Sequence, residues 1–132
     1  MSANNDKSVP AARDTAPATS ESSEEIDITS ESVQASVKDE LEHIVLALVL
    51  KQPMCGTDII KTIHGKFGLL LSPGTVYPLL HGLEKEGLLQ HEHGAKEKTY
   101  KPVDGMEEKI RRMLDEQVNA KKIIIKFLKF AE

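Results

Sequence analysis

The chain has 132 residues, 39% of them hydrophobic, a formal charge of −4 and a single cysteine, Cys55. That length holds one domain with some chain left over. One cysteine excludes an intrachain disulfide, and the longest apolar run, residues 44–50, is far short of the ~20 residues a membrane span needs. The charge is uneven: residues 1–35 carry −5, which leaves +1 for residues 36–132. Any basic surface on the second part must therefore come from how charges are arranged. The start of the chain lacks a basic segment followed by an apolar one, so the expectation is a cytoplasmic protein with no membrane partner.

Residues 1–35 are polar and acidic and contain few large apolar groups. Such a segment cannot bury enough surface to offset its ordering entropy, so it is expected to be a disordered acidic tail. Order is expected from Ser36, where Ser36 and Asp39 form a partial capping box. Val37, Leu41, Ile44, Val45, Leu48 and Val49 follow at helical spacing, and Leu46 and Leu50 add apolar surface on other sides, which predicts a central helix. A second short helix is expected over residues 55–67. Thr57 is its candidate cap, Ile59, Ile60 and Ile63 its inner face, and Gly65 or Gly68 its end.

Residues 71–89, LSPGTVYPLLHGLEKEGLL, predict the third helix. Ser72 can cap it and Pro73 suits its first position. Val76, Leu79, Leu80 and Leu83 form one buried side, and Gly87 stops it by accepting positive φ. Residues 88–93 and 97–103 then alternate as two strands around Gly94, Ala95 and Lys96, a hairpin with Pro102 at a strand end or edge. Asp104 and Gly105 turn the chain into one long helix over residues 106–131. Met106, Ile110, Met113, Gln117, Ala120, Ile124, Phe127 and Ala131 step by four and three, a heptad seam. The expected fold is mainly α with a small β-hairpin: a winged helix-turn-helix over residues 36–103, then a C-terminal dimerisation helix over residues 104–132.

The run Ser72, Pro73, Gly74, Thr75, Val76, Tyr77, Pro78 and the end Leu83, Glu84, Lys85, Glu86, Gly87, Leu88 resemble the recognition-helix segment of PadR-family transcriptional regulators. The similarity covers roughly residues 41–103. It implies that the third helix enters the operator's major groove, that the wing touches the flanking backbone, and that a C-terminal helical part builds a dimer. The chain departs from the family where many relatives carry an Arg near the position of Gly82 and an Arg-rich wing in place of residues 94–98. Both departures remove positive charge, so weak or salt-sensitive binding is expected.

The candidate DNA-binding residues are Ser72, Gly74, Thr75, Tyr77 and His81 on the third helix, Lys61 and Lys66 on the second, and Lys96 and Lys98 on the wing. The N-terminal turn suits a phosphate, and the lysines position without reading sequence. Tyr77 has two readings, a base contact or a core ring whose hydroxyl meets a neighbouring strand. Leu41, Met106, Ile110, Met113, Ile124 and Phe127 are the candidate dimer interface. The functional expectation is a sequence-specific DNA-binding transcriptional regulator, a repressor, acting as a homodimer on a palindromic operator in double-stranded DNA. A small-molecule effector of unknown identity is a further possible partner. Two alternatives stand beside it. One is a winged-helix protein–protein interaction module without DNA binding. The other is a metal-responsive regulator using His91 and His93, with His81, His64 and Cys55 as further ligands. No cofactor is expected, and with no phosphate loop or nucleophile elbow the chain is not expected to be an enzyme.

Overall fold

The structure is a computed structural model that describes Asp27 and residues 30–131. The acidic tail expected over residues 1–35 lies largely outside the described residues. Its last part is helical. Ser30 Oγ accepts a hydrogen bond from the Val33 N–H at 3.2 Å and so starts α1, Glu31–Asp39, ahead of the Ser36 start expected from sequence. Val33 and Val37 are the reason: four residues apart, they share one side of α1, with Val37 in the core and Val33 packed against it.

The chain breaks at Glu40, and α2 runs Leu41–Lys51. The single first helix expected from sequence is therefore two helices. The residue at the break is anchored elsewhere: the Glu40 carboxylate accepts from Gln117 Nε2 at 2.8 and 2.9 Å and pairs with Lys121 at 2.6 Å. Along α2, Leu41, Val45, Leu46 and Val49 are all buried, which makes it the central helix, as its all-round apolar pattern implies.

Strand β1, Met54–Cys55, comes next, then α3, Gly56–Phe67, and α4, Pro73–Lys85. The wing strands are β2, Leu89–His93, and β3, Lys98–Pro102, and the last helix is α5, Glu107–Phe130. The sheet has the order β1-β3-β2 and is antiparallel throughout. The expected hairpin thus gains a third strand, with Met54 opposite Tyr100 and Cys55 opposite Thr99. Two residues are too few for a period-2 signal, and so β1 leaves no trace in the sequence pattern. β3 becomes the central strand, and Pro102 sits at its end opposite Leu89, where a missing N–H costs no pairing with β1.

One core joins these elements. Ile59 and Ile63 of α3, Val76, Leu80 and Leu83 of α4, and Tyr100 of β3 close around α2. Only the first half of α5 takes part. Ile110 is fully buried, and Met106, Met113 and Leu114 pack against the core. Leu41 and Ile110, expected at a dimer interface, are core residues of the single chain, because α5 crosses α2 there. Met106 and Met113 are half-buried on the same packing. Ile124 and Phe127 lie beyond it, 52% and 68% exposed.

Candidate nucleic-acid interface

Helix α4 is held at both ends by its own sequence. Pro73 occupies the first turn, where its missing N–H costs nothing. At the other end the Gly87 N–H donates to the Glu84 carbonyl at 3.0 Å and the Leu88 N–H to the Leu83 carbonyl at 3.1 Å. This is a Schellman motif, and it requires the positive φ of +79° that Gly87 adopts. Leu88, buried next to Leu83, carries the chain directly into β2. The expected stop at Gly87 is found. The expected cap by the Ser72 side chain is not. Ser72 Oγ meets Thr75 Oγ1 at 3.3 Å, while the Ser72 carbonyl accepts from the Thr75 and Val76 N–H groups at 3.0 and 3.2 Å.

With Val76, Leu80 and Leu83 locked inward, α4 presents Ser72, Gly74, Thr75 and His81 outward, all exposed. Pro78 and Lys85 share that side and are also exposed. Neither was singled out from sequence. Pro78 stands inside the helix, a position that costs a helix about 3 kcal/mol because an N–H is lost and the ring presses on the carbonyl four residues earlier. Lys61 and Lys66 are exposed on α3, and Lys96 and Lys98 on the wing. These residues are available for contact.

Tyr77 is not free in this way. It is half-buried, and its hydroxyl donates to Glu97 Oε1 at 3.0 Å. Its ring lies so close over α3 that a Cβ at Gly56 would be 2.4 Å from Tyr77 Cζ. Of the two sequence readings, the structure has the hydroxyl bound to the wing. Glu97 is the hub of this contact and was missed, because nothing in a wing-tip glutamate distinguishes it from a solvated one. Its carboxylate also receives the Thr57 hydroxyl and N–H, and these donors, with Tyr77, hold it below the ordinary glutamate range. Thr57 therefore does not cap α3: Cys55 is the N-cap, and the Thr57 hydroxyl serves the wing. The tip itself closes through the Gly94 N–H donating to the Glu97 carbonyl at 2.9 Å. Burial pushes the Cys55 thiol up, away from the thiolate a nucleophile needs.

A second clasp joins α4 to the wing at its base. His91 Nδ1 on β2 meets the Glu84 carboxylate of α4, and the His91 ring tilts against Tyr100 at 5.7 Å. Tyr100 is fully buried, and its hydroxyl has no hydrogen-bond partner among the described residues. Burial, and then the Glu84 charge, push its phenol up. Further out, Lys101 pairs with Glu92, while Lys96 and Lys98 have no ion-pair partner among the described residues. His91 and His93 do sit edge to face at 5.6 Å. Among the described residues, however, no group of three or more His, Cys, Asp or Glu side chains is placed to hold a metal ion.

A three-helix core, a strand before its second helix, and a hairpin clasped to its third define a winged helix-turn-helix domain. Residues 45–103 match the transcriptional regulator PadR-like family. That match, to a family of transcriptional regulators, takes in the helix-turn-helix and the wing. Two relatives carry a transcriptional role in their names. "Transcriptional activator GvpE1" of Halobacterium salinarum is 35% identical over 62% of this chain and 44% of its own length. "Transcriptional activator GvpE" of Haloferax mediterranei is 41% identical over 49% of this chain and 34% of its own length. The chain thus spans less than half the length of these relatives. Among solved structures, a PadR-like transcriptional regulator from Bacillus cereus aligns with TM-score 0.61 and 20% identity, covering 74% of this chain and 99% of the other. A PadR-like transcription factor from Bacteroides fragilis aligns at 0.57 with 24% identity over the same shares. Both similarities speak for the fold alone. No helix among the described residues is long and apolar enough to cross a membrane.

Proposed function

We propose that the chain is a sequence-specific DNA-binding transcription regulator, acting in the cytoplasm as a homodimer on a palindromic operator. One observation carries this reading. The apolar side of α4 is sealed in the core, while Ser72, Gly74, Thr75 and His81 stand exposed beside a wing whose tip offers Lys96 and Lys98. A helix so presented suits the major groove. The wing lysines and those of α3 suit phosphates, which position the protein without reading sequence.

The distal half of α5 supports the dimer. Val118, Ile123, Ile124, Ile125, Phe127, Leu128 and Phe130 are each at least half exposed, a contiguous apolar surface of the kind that marks an interface. A groove of about 490 Å³, lined by Val33, Val37 and Ile44 with Ser32, Ser36 and Glu40, offers a seat for the partner's α5. Repression by occlusion is the proposed output; activation is the output named for the two relatives.

The test is selection of bound fragments from random duplex DNA. A two-fold symmetric motif supports regulator and dimer together, and no enrichment overturns the reading. Placed upstream of a reporter, the selected motif should lower expression in the presence of the protein. A rise would replace repression by activation. The interaction-module alternative draws on Leu70, 72% exposed in the turn between α3 and α4, and predicts no enrichment at all.

A further inference from the structure

The outward side of α4 carries few groups able to read bases by hydrogen bonds. The helix contains no Arg, Asn or Gln, and its one lysine, Lys85, stands in the last turn, so side chains that pair bidentately with guanine or adenine are absent from its N-terminal turns. Thr75 Oγ1 meets Ser72 Oγ at 3.3 Å, and the exposed Thr75 side chain carries a methyl beside that hydroxyl. Next along the same side stands the exposed ring of Pro78. The residues around it are small: Gly74 and Gly82 lack a Cβ, and the space at Gly82 where one would sit is open. A duplex can therefore approach this side closely.

Pro78 also stands against the helix that carries it. Inside a helix it removes a hydrogen bond and presses on the preceding turn. Its ring is exposed, so core packing does not offset that cost. A residue that breaks a local rule without a gain to the fold marks a surface requirement. Among major-groove base edges, the group that apolar side chains recognise is the C5 methyl of thymine.

We propose that Pro78 and the Thr75 methyl read thymine methyl groups in the major groove, so that each half-site is selected for thymine by apolar contact. This rests on the DNA-binding reading above. Lys61, Lys66, Lys96 and Lys98 hold the backbone, and His81 adds a polar contact.

The experiment compares two random duplex libraries, one built with thymine and one with uracil, which pairs identically and lacks the methyl. Both are selected on the full chain, and the enriched duplexes are measured by fluorescence anisotropy across salt concentrations. The expected result is a motif with fixed thymines. Uracil at those positions should weaken binding about fourfold for each methyl in contact, with the salt slope unchanged because phosphate contacts stay the same. Pro78→Ala should raise the thermal midpoint and reduce the difference between thymine and uracil duplexes. Thr75→Ser, which keeps the hydroxyl and removes the methyl, should reduce it too. A motif bound equally well with either base, or a thymine preference intact in both variants, overturns the inference and leaves the regulator reading standing. Binding to neither library overturns both.

Discussion

At the scale of single residues, two contacts decide how the wing sits on the recognition helix. Gly56 and Tyr77 are the first. A Cβ at residue 56 would fall 2.4 Å from the Tyr77 ring, so Gly56→Ala must displace that ring, and overpacking of this kind costs about 1–3 kcal/mol. The expected outcome is a lower urea midpoint with the slope of the transition unchanged. Glu97 is the second contact. Donors from Thr57 and Tyr77 hold its carboxyl below the ordinary range, so the ionised form is favoured in the folded state. Its stabilisation is fully present above the unfolded-state value and is lost as pH falls through the lower folded value. The protection of wing-tip amides, as exchange relative to the unfolded chain at the same pH, should accordingly hold through neutral and mildly acidic pH and fall only below the ordinary glutamate range. Tyr77→Phe removes one donor, and the Glu97 midpoint, followed by side-chain carboxyl NMR, should move up. A midpoint unchanged in that variant would show that the phenol has no hold on Glu97. One reading of the chain sent the Tyr77 hydroxyl to a neighbouring strand, but neither Gly56 nor Glu97 was legible as its partner. Tyr77 and Glu97 are 20 residues apart, and only the folding of the wing back on α4 brings them together.

At the scale of elements, the recognition helix was legible and its neighbours less so. Pro73, the buried series Val76, Leu80 and Leu83, and Gly87 are local signals that act within the helix itself, which is why sequence located both its ends. Gly87→Ala should cost about 1 kcal/mol or more, because a Cβ at φ +79° is strained and the Schellman bonds loosen. Thermal unfolding checks the size, and exchange at the Leu88 N–H checks the mechanism. The break between α1 and α2 was not legible. Its residue, Glu40, is bound to Gln117 and Lys121 of α5, 77 and 81 residues further along, and such a partner leaves no periodic mark. β1 was missed for a related reason: its two residues become a strand only because β3 lies beside them.

At the scale of the whole molecule, α5 is two helices in function. Its first half buries Ile110 and completes the core. Its second half leaves Ile123, Ile124, Phe127 and Leu128 more than half exposed, an apolar surface that nothing among the described residues covers. Ile123→Asp with Phe127→Asp should therefore yield a monomer by sedimentation velocity while the far-UV circular dichroism of the winged domain persists. A dimer that survives both charges would place the interface elsewhere. On the DNA side, Lys96→Glu with Lys98→Glu should weaken binding to all duplex sequences and reduce the salt slope by about 1 for each phosphate that a lysine no longer neutralises.

The sequence by itself determined the helix-turn-helix, the wing and the long last helix. Each of these is written in local periodicity, proline placement and glycine stops, which act over a few residues. Tertiary structure alone decided which side chains remain exposed. It took Tyr77 from the set by binding its hydroxyl to Glu97. It took Leu41 and Ile110 into the core where α5 crosses α2. It left the ring of Pro78 exposed. The physical reason is the same each time: availability depends on what a side chain meets across the fold, and a linear pattern records only what lies next to it along the chain.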